Sequence, residues 1–142
     1  MLTILLADDD RLMGAALRRC IENFSITVRS AHTVETAVRI ARHDPFDAIL
    51  LDFDLKSQRT ANPRSGGGLR ALRALRAGRV ETPVFVLCAL SDDIYEETLL
   101  EAGADKVVVK TDGVSHLIHR LRVQLQRRGK STNQIVAISA DS

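Results

Sequence analysis

The sequence predicts an α/β domain built on a doubly wound, five-stranded parallel sheet in the order 2-1-3-4-5. Three observations point there. Short apolar runs of strand length alternate with amphipathic segments of helix length as far as about residue 128. The connections between them are short, as in repeated βα units. The run Ala48-Ile49-Leu50-Leu51 is continuously apolar, the pattern of a strand covered on both faces.

The elements follow in chain order. Thr3 to Ala7 is the first strand. Asp10 to Glu22 is a helix, with Leu12, Ala15, Ala16 and Cys20 marking one apolar face. Ile26 to Ser30 is the second strand. Thr33 caps a helix through Arg42, with Glu35 close behind it. Ala48 to Asp52 is the third strand, and Phe53 to Ser65 is polar, irregular and interrupted by Pro63. Gly66 to Arg79 is an Arg-rich helix. Its three opening glycines read as a flexible hinge, because no P-loop pattern accompanies them. Arg70, Arg73 and Arg76 recur every third position, with Arg79 just past them, and read as a solvated face. Pro83 to Cys88 is the fourth strand. Ser91 to Ala102 is a helix stopped by Gly103, and Lys106 to Val109 is the fifth strand. Val114 to Arg128 is the last helix, with Leu117, Leu121 and Leu125 turned inward and His116 and His119 on its surface. Residues 1–128 thus form one domain. The tail 129–142, small and polar around Ile135-Val136-Ala137-Ile138, reads as a linker, an extra strand or a disordered end.

Composition narrows the function. The 142 residues suit one domain with a full core. A chain 45% apolar and 27% charged has the balance of a globular protein. A net charge of +2 points to neither a nucleic-acid binder nor a polyanion. Met1 to Leu6 meets acid at Asp8 with no basic segment before it, so a signal peptide is not expected. No apolar run approaches the roughly 18–20 residues of a membrane span. Cys20 and Cys88 are unpatterned and sit in apolar contexts, so neither a disulfide framework nor a zinc site is expected. The expected location is the cytoplasm.

The chemistry gathers at the carboxyl ends of the strands, where a doubly wound sheet forms its crevice. The first strand ends in Asp8-Asp9-Asp10, the third in Asp52 with Asp54 just past it, and the fifth in Lys110. In the order 2-1-3-4-5 the first and third strands are neighbours, so their acids share a pocket. Carboxylates packed together repel, and a hard divalent cation with oxygen ligands relieves them. A metal plus a lysine around one free carboxylate makes a phosphoryl-transfer site, where charge neutralisation and positioning do most of the work.

With those residues in view, the chain resembles a response-regulator receiver domain of two-component signalling, the flavodoxin-like (βα)5 fold. The matching stretches are "ILLADDD" (4–10), "DAILLDFDL" (47–55), "TPVFVLCAL" (82–90) and "AGADKVVVK" (102–110). The resemblance covers residues 2–127 and implies the following roles. Asp52 is the phosphoacceptor, attacking a phosphohistidine on a sensor histidine kinase or phosphotransfer protein. Asp9 ligates Mg²⁺ directly, Asp8 supports the metal, Asp54 lends its backbone carbonyl, and Lys110 pairs with the phosphoryl group. Helix 4, strand 5 and helix 5 form the usual dimer and output face. Nucleic acid is reached only through an output domain outside these residues.

The sequence also departs from that family's pattern. Cys88 stands where receivers carry Ser or Thr, and a thiol is a weak donor, so coupling to a conformational switch is expected to be weaker or different. As a residue, Cys88 reads first as a small buried hydrophobe. Val107 occupies the aromatic switch position. Thr111 follows Lys110 in place of Pro, and a cis bond without proline costs about 2.5–4 kcal/mol, so a trans bond is expected. The stretch "DLKSQRTANPRSGGG" makes the loop after Asp52 unusually long, suited to cover the site or meet a partner. These departures define the alternative, a pseudo-receiver that binds partners independently of phosphorylation. "LDFDL" also resembles the Asp-x-Asp motif of haloacid-dehalogenase-type phosphatases, but here it follows two βα units in a chain without room for a cap domain.

Overall fold

The computed structural model describes residues 2–58, 66–89 and 93–127. The order is β1 (Thr3–Ala7), α1 (Arg11–Glu22), β2 (Thr27–Ala31), α2 (Val34–His43), β3 (Ala48–Asp52), α3 (Gly67–Ala77), β4 (Val84–Cys88), α4 (Asp93–Glu101), β5 (Lys106–Val109) and α5 (Val114–Arg127). The strands form one sheet in the order β2-β1-β3-β4-β5, each pair parallel. This is the expected fold. The tail from 129, the expected helix start at Ser91 and most of the long loop lie outside the described residues.

The central strands are buried on both faces because alternate side chains feed two cores. On one side Leu5, Ile49, Leu51 and Val86 pack with Ala37 of α2, Leu72 and Leu75 of α3 and Leu99 of α4. On the other Leu6, Leu50, Phe85 and Leu87 pack with Ile21 of α1 and with Leu117, Leu121 and Leu125 of α5. The three leucines of α5 are therefore core contacts, and His116 and His119 are exposed, as expected. Val107 is half-buried against the first core.

Three local expectations are corrected. The inner face of α1 is not Leu12, Ala15, Ala16 and Cys20: Leu12 is 85% exposed and Cys20 is a free, exposed thiol. Gly14 and Ile21 are buried instead, with Leu17 and Arg18 half-buried between them. Both stripes have helical spacing, so periodicity could not choose between them. The choice follows from Asp10, whose carboxylate caps the helix by accepting from the Met13 amide at 3.0 Å, and from Gly14 lying over Asp8.

The glycines before α3 are packing devices, not a hinge. A Cβ on Gly67 would stand 1.7 Å from the Leu55 carbonyl oxygen, and one on Gly68 would stand 2.5 Å from that of Asp52. Only glycine lets α3 begin this close to the chain leaving β3.

Arg76 is not on a solvated face. Its guanidinium donates to the carbonyls of Gly103, Val80 and Thr82 and to Asp105 Oδ1 at 3.1 Å, pinning the ends of α3 and α4 at the sheet's amino edge. Arg70, Arg73 and Arg79 are exposed.

Candidate functional site

The parallel register brings three strand ends together. Ala7 is level with Leu51 and Asp52 with Leu87, so the residues following β1 stand beside the end of β3. The consecutive acids after β1 then divide their work. Asp8 is 2% exposed, and its Oδ1 accepts from the Asp10 amide at 2.9 Å. Asp9 is half-buried, and Asp10 is spent on the α1 cap. His32 Nδ1 meets the Asp8 carbonyl oxygen at 3.0 Å, tying this corner to the end of β2.

Asp52 ends β3 only 4% exposed. Its Oδ1 accepts from the Asp54 amide at 3.2 Å and lies 3.2 Å from Lys110 Nζ. Lys110 follows β5 and opens a 3-10 turn, Lys110–Asp112, that the periodicity did not reveal. Its peptide bond to Thr111 is trans, as expected. Lys110 Nζ also reaches Asp8 Oδ2 at 4.0 Å.

The electrostatics follow from burial. Desolvation pushes the Asp52 carboxyl up from its ordinary 3.8 to about 6, while the Lys110 charge pulls it back, the Asp8 charge adds to the rise and the Asp54 amide opposes it. Burial alone would lower the Lys110 ammonium, but the Asp52 and Asp8 charges outweigh it and hold it above its ordinary value. Cys88 ends β4 buried, and desolvation followed by the charges of Asp54 and Asp52 pushes its thiol up to about 11. At neutral pH it is therefore a protonated, weakly polar side chain rather than a nucleophile.

The site fits a divalent cation. Carboxylate oxygens of Asp8, Asp9 and Asp52 lie within 4.8 Å of one another. Asp8 Oδ2 is buried with no hydrogen-bond partner and has the Lys110 ammonium 4.0 Å away, an acceptor that a metal ion can satisfy. All three donors are hard oxygens, the set Mg²⁺ takes. Asp54 is exposed and its carboxylate stands outside this trio; it joins the site through its backbone.

An apolar groove of about 210 Å³ lies beside the cluster, between α1 and α5. Met13, Ala16, Leu17 and Cys20 form one wall, Val114 and Leu117 the other, and Asp8 and Lys110 close its end. It takes in Ala16 and Cys20, two residues of the α1 stripe that sequence periodicity assigned to the core. Met13 on its wall is 55% exposed, which only the packed structure discloses.

A doubly wound sheet with an acidic trio and a lysine at its carboxyl edge defines a phospho-signalling class of domain. Residues 4–122 match the family model of the response regulator receiver domain, and the chain belongs to that family. It is 31% identical over 132 residues to the KDP operon transcriptional regulatory protein KdpE of Escherichia coli, covering 93% of this chain and 55% of that protein. It is 34% identical over 125 residues to the response regulator MprA of Mycobacterium ulcerans, covering 87% and 50%. The chain thus spans about half the length of these curated relatives. The receiver domain of the sensor histidine kinase PA1611 from Pseudomonas aeruginosa, solved with a magnesium ion coordinated in its active-site cleft, superposes with a TM-score of 0.71 at 26% identity, covering 85% of this chain and 94% of that one. Family membership favours a phosphorylatable receiver over the phosphorylation-independent alternative. Among the described residues, no helix is long and apolar enough to cross a membrane.

Proposed function

We propose that this chain accepts a phosphoryl group on Asp52 from a sensor histidine kinase or phosphotransfer protein in the cytoplasm. One Asp52 carboxylate oxygen attacks phosphorus, the P–N bond to the donor imidazole breaks, and that nitrogen leaves with the electron pair. The product is an aspartyl phosphate, later hydrolysed to inorganic phosphate and free Asp52. The chain so acts on its own side chain rather than turning over an external substrate. The observation that carries the reading is the buried Asp52 carboxylate with Lys110 Nζ at 3.2 Å and an Asp8 oxygen without a hydrogen bond beside it.

Each residue has a share. Burial with a pKa near 6 leaves Asp52 largely ionised at neutral pH but poorly solvated, which favours attack. Lys110 pairs with a phosphoryl oxygen as charge shifts onto it. Asp8, Asp9, Asp52 and the Asp54 carbonyl would hold Mg²⁺, which supplies charge neutralisation when bound. Cys88 offers the phosphoryl group a weak thiol contact where related domains offer a hydroxyl. The groove between α1 and α5 ends at Asp8 and Lys110, which suits docking of the donor's apolar surface.

In this reading residues 1–128 are the receiver and 129–142 lead toward an output domain of the DNA-binding kind, which the regulatory names of the longer relatives support. Dimerisation through α4, β5 and α5 would carry the signal. The test is intact-mass measurement after incubation with Mg²⁺ and acetyl phosphate. One phosphoryl increment on wild type, absent from Asp52→Asn, is expected; equal labelling of both would move the acceptor elsewhere.

A further inference from the structure

The chain leaving Asp52 is tied down from both sides. On the α3 side the Gly68 amide donates to the Phe53 carbonyl at 2.9 Å. On the α2 side the Val34 amide donates to the Lys56 carbonyl at 2.9 Å. Glu35 then uses both carboxylate oxygens: Oε2 accepts from Ser57 Oγ at 2.8 Å and Oε1 from the Gln58 amide at 2.6 Å. Between the acceptor and this strap, Leu55 is fully buried and its amide donates to the Asp52 carbonyl at 3.2 Å. Ser57 is only 6% exposed although it belongs to a polar loop.

A carboxylate fits this duty here. Glu35 sits in the first turn of α2, where the helix dipole favours negative charge, and Thr33 already caps the helix by accepting from the Thr36 amide. Glu35 bonds outward, to the loop. Its two acceptors hold residues 57 and 58. The segment 52–58 is thereby referenced to α2.

We propose that Glu35 is a positioning residue for the acceptor: by strapping residues 57 and 58 to α2, beside the Val34–Lys56 backbone bond, it keeps the Asp54 amide on Asp52 Oδ1 and so sets the phosphorylation rate. The inference rests on Asp52 being the acceptor. A slack strap lets the Asp54 amide leave Oδ1 and the carboxylate rotate away from its line of attack, and misplacement by about 1 Å can cost on the order of a hundredfold in rate.

The experiment compares wild type, Glu35→Ala, Glu35→Gln, Ser57→Ala and Asp52→Asn. Labelling by acetyl phosphate is followed by intact mass at saturating Mg²⁺ over a range of donor concentrations. Amide exchange is read on the peptide covering 53–58, with thermal unfolding as the check on fold. Glu35→Ala is expected to slow labelling about tenfold at saturating donor, with little change in the half-saturating concentration, and to speed exchange in 53–58 but not in β1 or β4. Glu35→Gln keeps one acceptor and should fall between. Wild-type labelling rates in Glu35→Ala would overturn the proposal, as would losses no larger than the loss of folded protein. If Glu35→Ala does not fold, Ser57→Ala and Glu35→Gln decide it by the same criteria. An unlabelled wild type would overturn the receiver reading itself, an outcome distinct from equal labelling of wild type and Glu35→Ala.

Discussion

Replacing Asp52 by Asn is expected to make the metal-free protein more stable while removing its phosphorylation. Asp52 is 4% exposed, and burial lifts its carboxyl from 3.8 to about 6. The folded state therefore keeps a proton across pH 4–6 that the unfolded chain has released, and wild-type stability falls as pH rises through that window. A displacement of this size corresponds to about 3 kcal/mol, fully expressed above pH 6. Asn carries no charge and escapes this cost, which is already net of the Lys110 attraction. A gain of up to about 3 kcal/mol at pH 7.5 follows, or on the order of 5–10 °C in Tm. Urea unfolding in EDTA at pH 4.5, 5, 6 and 7.5 measures it. The gap between variant and wild type should be small at the acid end, widen to pH 6 and then stay level. A variant no more stable than wild type at pH 7.5, or a gap indifferent to pH, would refute the argument that desolvation dominates this site.

Three further outcomes are expected. Mg²⁺ at about a hundredfold its dissociation constant should raise wild-type stability by about 2.7 kcal/mol, and Asp52→Asn by much less, in the same urea assay; chelation should reverse both. A disulfide reagent at pH 8 should modify exposed Cys20 quickly and Cys88, with a thiol near 11, at least tenfold more slowly, as mass spectrometry after Cys20→Ser will read. Two glycine substitutions should have opposite signs in thermal unfolding. Gly67→Ala would collide with the Leu55 carbonyl and cost about 3 kcal/mol, whereas Gly14→Ala meets Asp8 Cβ at an ordinary 3.6 Å and should gain about 0.5 kcal/mol from helix propensity.

Much of the fold was legible in the chain because its signals are local. A strand buried on both faces must be apolar at every position, and Ala48 to Leu51 is. Thr33 announced the start of α2 because a side-chain oxygen is needed there, and its bond to the Thr36 amide is present. Asp8, Asp9, Asp52 and Lys110 were legible as a site because strand ends in a doubly wound sheet converge, so residues from three strand ends distant in sequence needed only the strand order to be joined. The chain alone therefore determined the architecture, the acidic pocket and the identity of its lysine.

Tertiary structure decided what depends on which surfaces meet. Two stripes of α1 have equal helical spacing, and only the placement of Gly14 over Asp8 turned Leu12 and Met13 outward. Gly67 and Gly68 carry no side chain whose pattern could show that a carbonyl stands against them. Arg76 repeats the spacing of its exposed neighbours yet finds carbonyls on two other segments, a match set by where α3 ends relative to Gly103. Glu35 and Ser57 are 22 residues apart, and neither belongs to a motif. Periodicity reports a residue's own helix or strand; the partner across a contact is fixed only when the elements pack.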